Sequence, residues 1–89
     1  MEYDVVHQVP GRVRYRIPQL AHDPELVENL QFLLGREEYV TEVRIKPFAS
    51  SLVVSYQTES LSAEKVQTQL ENLFKIADLV FPKEVQKKP

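Results

Sequence analysis

The chain contains no cysteine. That absence excludes disulfides, thiolate metal ligands, a cysteine nucleophile and paired-thiol redox chemistry together. It suits a cytoplasmic address, which is the expectation here. No stretch approaches the ~18 consecutive apolar residues of a membrane-crossing helix, and MEYDVVHQVPGR, with acids at Glu2 and Asp4, does not read as a signal peptide. No insertion into a membrane is therefore expected. A strong charge of one sign is also missing. Lys and Arg number 11 against 13 Asp and Glu, a formal net charge of −2. Any attraction for nucleic acid or anionic lipid would have to come from local patterning. There is no glycine-rich phosphate cradle, no nucleophile beside a base, and no zinc-ligand spacing.

What is present fits one small domain. The 89 residues are 43% hydrophobic and 27% charged, an ordinary globular balance. The most informative stretch is Gly11-Arg12-Val13-Arg14-Tyr15-Arg16-Ile17-Pro18, in which cations and apolar residues strictly alternate. Period two is the mark of a strand with one dry and one wet face. Val13, Tyr15 and Ile17 are expected in the core. Arg12, Arg14 and Arg16 are expected in a row on the other side. Residues 3–9 read as an extended lead-in, interrupted by Pro10-Gly11 as a turn or bulge.

Asp23-Pro24-Glu25 predicts a helix start, and Leu26, Leu30, Leu33 and Leu34 form one apolar face over residues 24–34. Gly35 is read as a left-handed stop. A second strand is expected over 40–46, with Val40, Glu42, Arg44 and Lys46 on one face and Thr41, Val43 and Ile45 on the other, and a third over 52–56, joined by the turn Pro47-Phe48-Ala49-Ser50 into an antiparallel hairpin. Ser62 is read as the cap of a second helix, with Leu61 stapled onto Val66. Val66, Leu70, Leu73, Phe74 and Ala77 make its stripe. Residues 79–81 are expected to form a short last strand. The resulting order, strand-helix-strand-strand-helix-strand, predicts an α+β ferredoxin-like sandwich: a four-stranded antiparallel sheet with two helices on one face. The expected domain runs over 1–82, with a polar tail over 83–89.

The run VVHQVPGRVRYRIPQL, the Leu-rich helix and VTEVRIKPFASSLVVSY carry a resemblance over about residues 5–57. They resemble cysteine-less relatives of heavy-metal-associated domains. Such modules occur at the N-terminus of some metal-transporting P-type ATPases and as short stand-alone proteins, notably in bacteria. The metal-binding branch carries Cys-x-x-Cys between the first strand and first helix. That loop here is Pro18-Gln19-Leu20-Ala21-His22-Asp23. Metal transfer through paired thiolates does not carry over. The helix end, Gly35-Arg36-Glu37-Glu38-Tyr39-Val40, is longer than the family's usual step, so irregularity is expected there.

Together these readings predict a non-catalytic binding module linked to metal homeostasis or transport through protein contacts, with no cofactor. The partner-binding residues are Arg12, Arg14, Arg16, Arg44 and Lys46, in two rows if the third strand lies between the first and second. The expected partner is a protein or a second copy of the chain in a homodimer, with a membrane metal transporter among the candidates. Nucleic acid is disfavoured because no aromatic pair accompanies the cations. One alternative is direct metal binding at the His22 loop, with Asp23 as companion ligand. His7 and His22, with Asp23 or Asp4, lack a tight ligand pattern and are read as ordinary strand and loop residues, and Glu37, Glu38 and Glu42 are read as a solvated acidic patch. The other alternative is an acylphosphatase-like enzyme, which needs an arginine beside an asparagine. The only asparagines, Asn29 and Asn72, fall in the expected helices. Phe32, Tyr39, Tyr56 and Phe74 are read as core or half-buried packing residues.

Overall fold

A computed structural model describes residues 1–59 and 61–79. Four strands, β1 (Asp4–Val9), β2 (Arg12–Arg16), β3 (Val40–Lys46) and β4 (Ser51–Tyr56), form one antiparallel sheet in the order β1-β2-β4-β3. Two helices, α1 (Pro24–Gly35) and α2 (Ala63–Leu79), cover one face. A short 3-10 turn over Pro18–His22 leads from β2 into α1, and another over Pro47–Ala49 joins β3 to β4. The fold class is the expected α+β ferredoxin-like sandwich. No helix among the described residues is long and apolar enough to cross a membrane.

One strand comes from an unexpected part of the chain. The lead-in, residues 4–9, is a strand of the sheet and occupies the edge beside β2. The sequence pattern predicts the fourth strand from residues 79–81. Leu79 is instead the last residue of α2, and residues 80 and 81, like the expected domain limit at 82 and the tail over 83–89, lie outside the described residues. The physical reason is local. Pro10 and Gly11 make a two-residue connection with Gly11 at φ +87, the positive value that the third residue of a type II turn requires. Closing so short a loop costs little entropy and gives β2's outer N–H and C=O groups partners immediately.

The core follows the predicted alternation. Val13, Tyr15 and Ile17 are fully buried, as are Leu52 and Val54 on β4. Against them pack Leu26, Leu30, Leu33 and Leu34 of α1 and Val66, Leu70, Phe74 and Ala77 of α2. Each such Leu or Phe contributes about 1.5–3 kcal/mol on leaving water. Tyr3, Tyr15 and Phe74 meet edge to face, with centroids 4.8–5.8 Å apart and interplanar angles of 76–86°. The Asp23 carboxylate caps α1 by accepting the Leu26 N–H at 3.0 Å, and the Ser62 hydroxyl caps α2 by accepting the Lys65 N–H at 3.2 Å.

Three local expectations change. Gly35 is the last residue of α1 but is not left-handed; the turn closes through the Glu37 N–H donating to the Leu34 carbonyl at 3.2 Å. Phe32 is 63% exposed rather than packed, with the Arg36 guanidinium 5.2 Å from its ring centroid. Its position falls off the Leu26, Leu30, Leu33 and Leu34 stripe. Val40 does not share a face with Glu42, Arg44 and Lys46. A bulge between Val40 and Glu42 resets the alternation, and Val40 packs toward the helices with Val43 and Ile45. This is the irregular hairpin entry that the long helix end led us to expect.

Candidate functional site: the open face of the sheet

The uncovered face is built by the residues that alternate with the core. On β2, Arg12, Arg14 and Arg16 are all exposed. On β3, the bulge sends Glu42, Arg44 and Lys46 to the same side, all exposed. Between them runs β4, whose outward residues are Ser51, Val53 and Ser55. Pairing sets the rows. Arg12 is level with Ser55 and Glu42, Arg14 with Val53 and Arg44, and Arg16 with Ser51 and Lys46. The five cations therefore stand in two parallel ranks on either side of a floor of small side chains.

This relief encloses a shallow trough of about 240 Å³ between Arg12 and Arg14 on one wall and Arg44 and Lys46 on the other. Ser51 and Val53 form its floor, and Ala49 of the hairpin turn closes one end. A second hollow of about 350 Å³ lies on the other side of Arg14 and Arg16, against Val6 and Ser50. Ser50 sits at φ 54, a left-handed value, and its carbonyl accepts the Ile17 N–H at 2.8 Å. That bond ties the hairpin turn to the end of the arginine strand.

The face carries Asp4 and Glu42 against the five cations, a local excess of three positive charges on a chain of net charge −2. The acids gather elsewhere: Glu25 and Glu28 on α1, Glu64, Glu71 and Asp78 on α2. Charge is thus segregated by layer. Within the face, Arg44 donates to the Glu42 carboxylate at 2.9 Å, with both side chains more than half exposed, so this pair adds little to stability. Arginine in such ranks offers forked donors that suit carboxylates or phosphates.

The other sequence candidates are not brought together. His22 is exposed in the 3-10 turn beside Gln19. Asp23 is engaged as the α1 cap and also accepts from Gln19 Nε2 at 2.8 Å. His7 stands opposite Arg14 on the edge strand, away from that loop. Among the described residues, no group of three or more His, Asp or Glu side chains gathers in a way that could hold a metal. Arg12 starts β2 on the open face, whereas Asn29 and Asn72 lie on the helices covering the other face. Asn29 donates to the Ala77 carbonyl at 3.4 Å and so joins the two helices. The arginine–asparagine pairing of an acylphosphatase is not formed.

Sequence reasoning missed two features of the site. The edge strand β1 adds Asp4, His7 and Val9 to the open face, and Val6, bulged out of register, borders the second hollow. All six β1 residues are exposed, so no alternation marked them.

Comparison with curated proteins and with solved structures finds no match. The model of one family does match, over residues 3–87, a longer span than the resemblance read from the sequence and one that includes β1. The chain belongs to the family described as heavy metal associated domain 2.

Proposed function

We propose that this domain is a non-catalytic, cytoplasmic interaction module of metal homeostasis or metal transport, which docks an acidic protein partner on the open face of its sheet. Arg12, Arg14, Arg16, Arg44 and Lys46 carry the contact. The observation behind this reading is the double rank of exposed cations on an otherwise acidic chain, across a layer that no helix among the described residues covers. Family membership supports the metal-related setting, and the missing thiolates shift the role from carrying metal to contacting proteins that do. A membrane metal transporter is a partner of the right kind.

The experiment compares the wild-type domain with Arg14→Ser/Arg16→Ser, immobilised and exposed to a cell extract at low salt. The double variant should retain its thermal unfolding midpoint, because both side chains are exposed. It should lose the proteins that wild type holds at low salt and releases at high salt. Retention of the same proteins by the double variant would refute the reading. A wild-type mass corresponding to a dimer, converted to monomer in the variant, would identify the partner as a second copy.

A further inference from the structure

We infer that the trough between the two cation ranks is a seat for an extended, contiguous acidic segment of a partner protein. The inference rests on the docking role proposed for this face and adds the conformation and charge spacing of what docks.

The repeat of the sheet matches that of an extended chain. Outward residues on β2 recur about every 6.7 Å, and the β2 and β3 ranks, separated by one strand, stand about 9.6 Å apart. An extended polypeptide has the same repeat, because its alternate side chains are also about 6.7 Å apart and point to opposite sides. Laid along β4, such a segment sends residues i and i+2 toward Arg12 and Arg14, and residues i+1 and i+3 toward Arg44 and Lys46. Consecutive Asp or Glu residues therefore meet cations on both walls. A helical segment would bring acids to one side only at i, i+3 and i+4.

The floor permits this. Ser51 and Val53 are small, so a backbone can descend between the walls. Backbone hydrogen bonds of β4 are already used on both sides by β2 and β3, so affinity comes from charge and is strongly salt-dependent. Glu42 stands level with Arg12 and its carboxylate holds Arg44 at 2.9 Å, so it competes with an incoming acid for a wall cation. A recessed floor between raised walls fits a chain better than the plane of a bilayer. No Phe, Tyr or Trp for stacking bases stands at the outward positions of the four strands.

The test uses fluorescein-labelled hexaglutamate as the probe, with a peptide of equal charge whose glutamates are separated by Gly-Gly. Wild-type protein should bind the contiguous peptide about fivefold more tightly than the spaced one, the equivalent of one well-placed ion pair. Val53→Phe fills the floor with a strand-favouring residue and leaves the charge unchanged. It should lower affinity for hexaglutamate by about tenfold or more, and Glu42→Gln should raise it by about threefold. Equal binding of the two peptides, or full affinity in a folded Val53→Phe, overturns the seat. If Arg14→Ser/Arg16→Ser still abolishes binding in that case, the docking face stands without the trough. If the double variant also binds normally, both readings fall. Binding to phosphatidylserine vesicles that ignores Val53→Phe, with hexaglutamate not bound, overturns the inference in favour of a lipid surface.

Discussion

Tyr15 lies at the centre of the fold with an exposure of 0%, yet its hydroxyl has no hydrogen-bond partner among the described residues. Tyr15→Phe removes that hydroxyl and keeps the ring, along with its edge-to-face contacts to Tyr3 and Phe74. A buried polar group without a partner costs about 1–3 kcal/mol in lost hydration. The lower end applies, because removing the oxygen also leaves a small void that forfeits some dispersion contacts. The substitution should therefore stabilise the domain by about 1 kcal/mol, or roughly 4–8 °C in midpoint for a chain of this size. Tyr15→Ala sets the scale, since losing the ring should cost about 3–5 kcal/mol. Urea unfolding at neutral pH, followed by far-ultraviolet circular dichroism, measures both, with an unchanged slope showing that the comparison is fair. A second signature comes from alkali. Burial foremost, then the Glu71 carboxylate and the Tyr3 and Tyr56 hydroxyls, hold the Tyr15 pKa well above its ordinary 10. The folded protein keeps this proton where the unfolded chain releases it, so stability falls as pH rises above 10. Tyr15→Phe should flatten that fall. A variant less stable than wild type by 1 kcal/mol or more, with an undiminished alkaline slope, would refute the reasoning.

Three further outcomes are expected. Asp23→Ala removes the acceptor for Leu26 N–H and Gln19 Nε2 and should cost about 1 kcal/mol in urea unfolding, with Asp23→Asn recovering most of it. Gly11→Ala places a side chain at φ +87, where its Cβ meets the Tyr56 carbonyl oxygen at 3.4 Å. It should cost about 1–2 kcal/mol and increase amide exchange in the β1–β2 hairpin. Tyr39, pushed up to about 12 by burial and by the negative charge of Glu37, adds to the alkaline weakening. Its contribution is intact below pH 10 and lost as the pH rises through about 12, so Tyr39→Phe should lessen the loss in that window.

Much of the layout was legible because two periodicities survive in the residues. Arg12 to Ile17 alternates without a break, and β4 and the two leucine-rich stripes keep their phase from end to end. The second strand was anticipated over 40–46 and is found at Val40–Lys46. The two ranks of cations followed once β4 fell between β2 and β3. What escaped was structure without a burial signal. β1 buries no side chain, and its bulge at Val6 breaks what alternation it has, so only the hairpin turn announced it. Thr41 hid a second bulge, which turned Val40 inward. The floor of small side chains was visible as Ser51, Val53 and Ser55, but their meaning required knowing which strands flank them. Phe32 misled for the opposite reason: an aromatic residue suggests packing, while its place on α1 faces water.

The proposed recognition occurs on the open face and not at the His22 loop or on the helices. Amide chemical shifts of labelled protein, followed as hexaglutamate is added, test it directly. Changes are expected in Arg12–Arg16, Arg44–Lys46 and Ser51–Ser55, and these should disappear in Arg14→Ser/Arg16→Ser. Changes confined to Pro18–Asp23 or to α1 and α2, or persisting in the double variant, would contradict recognition on the open face.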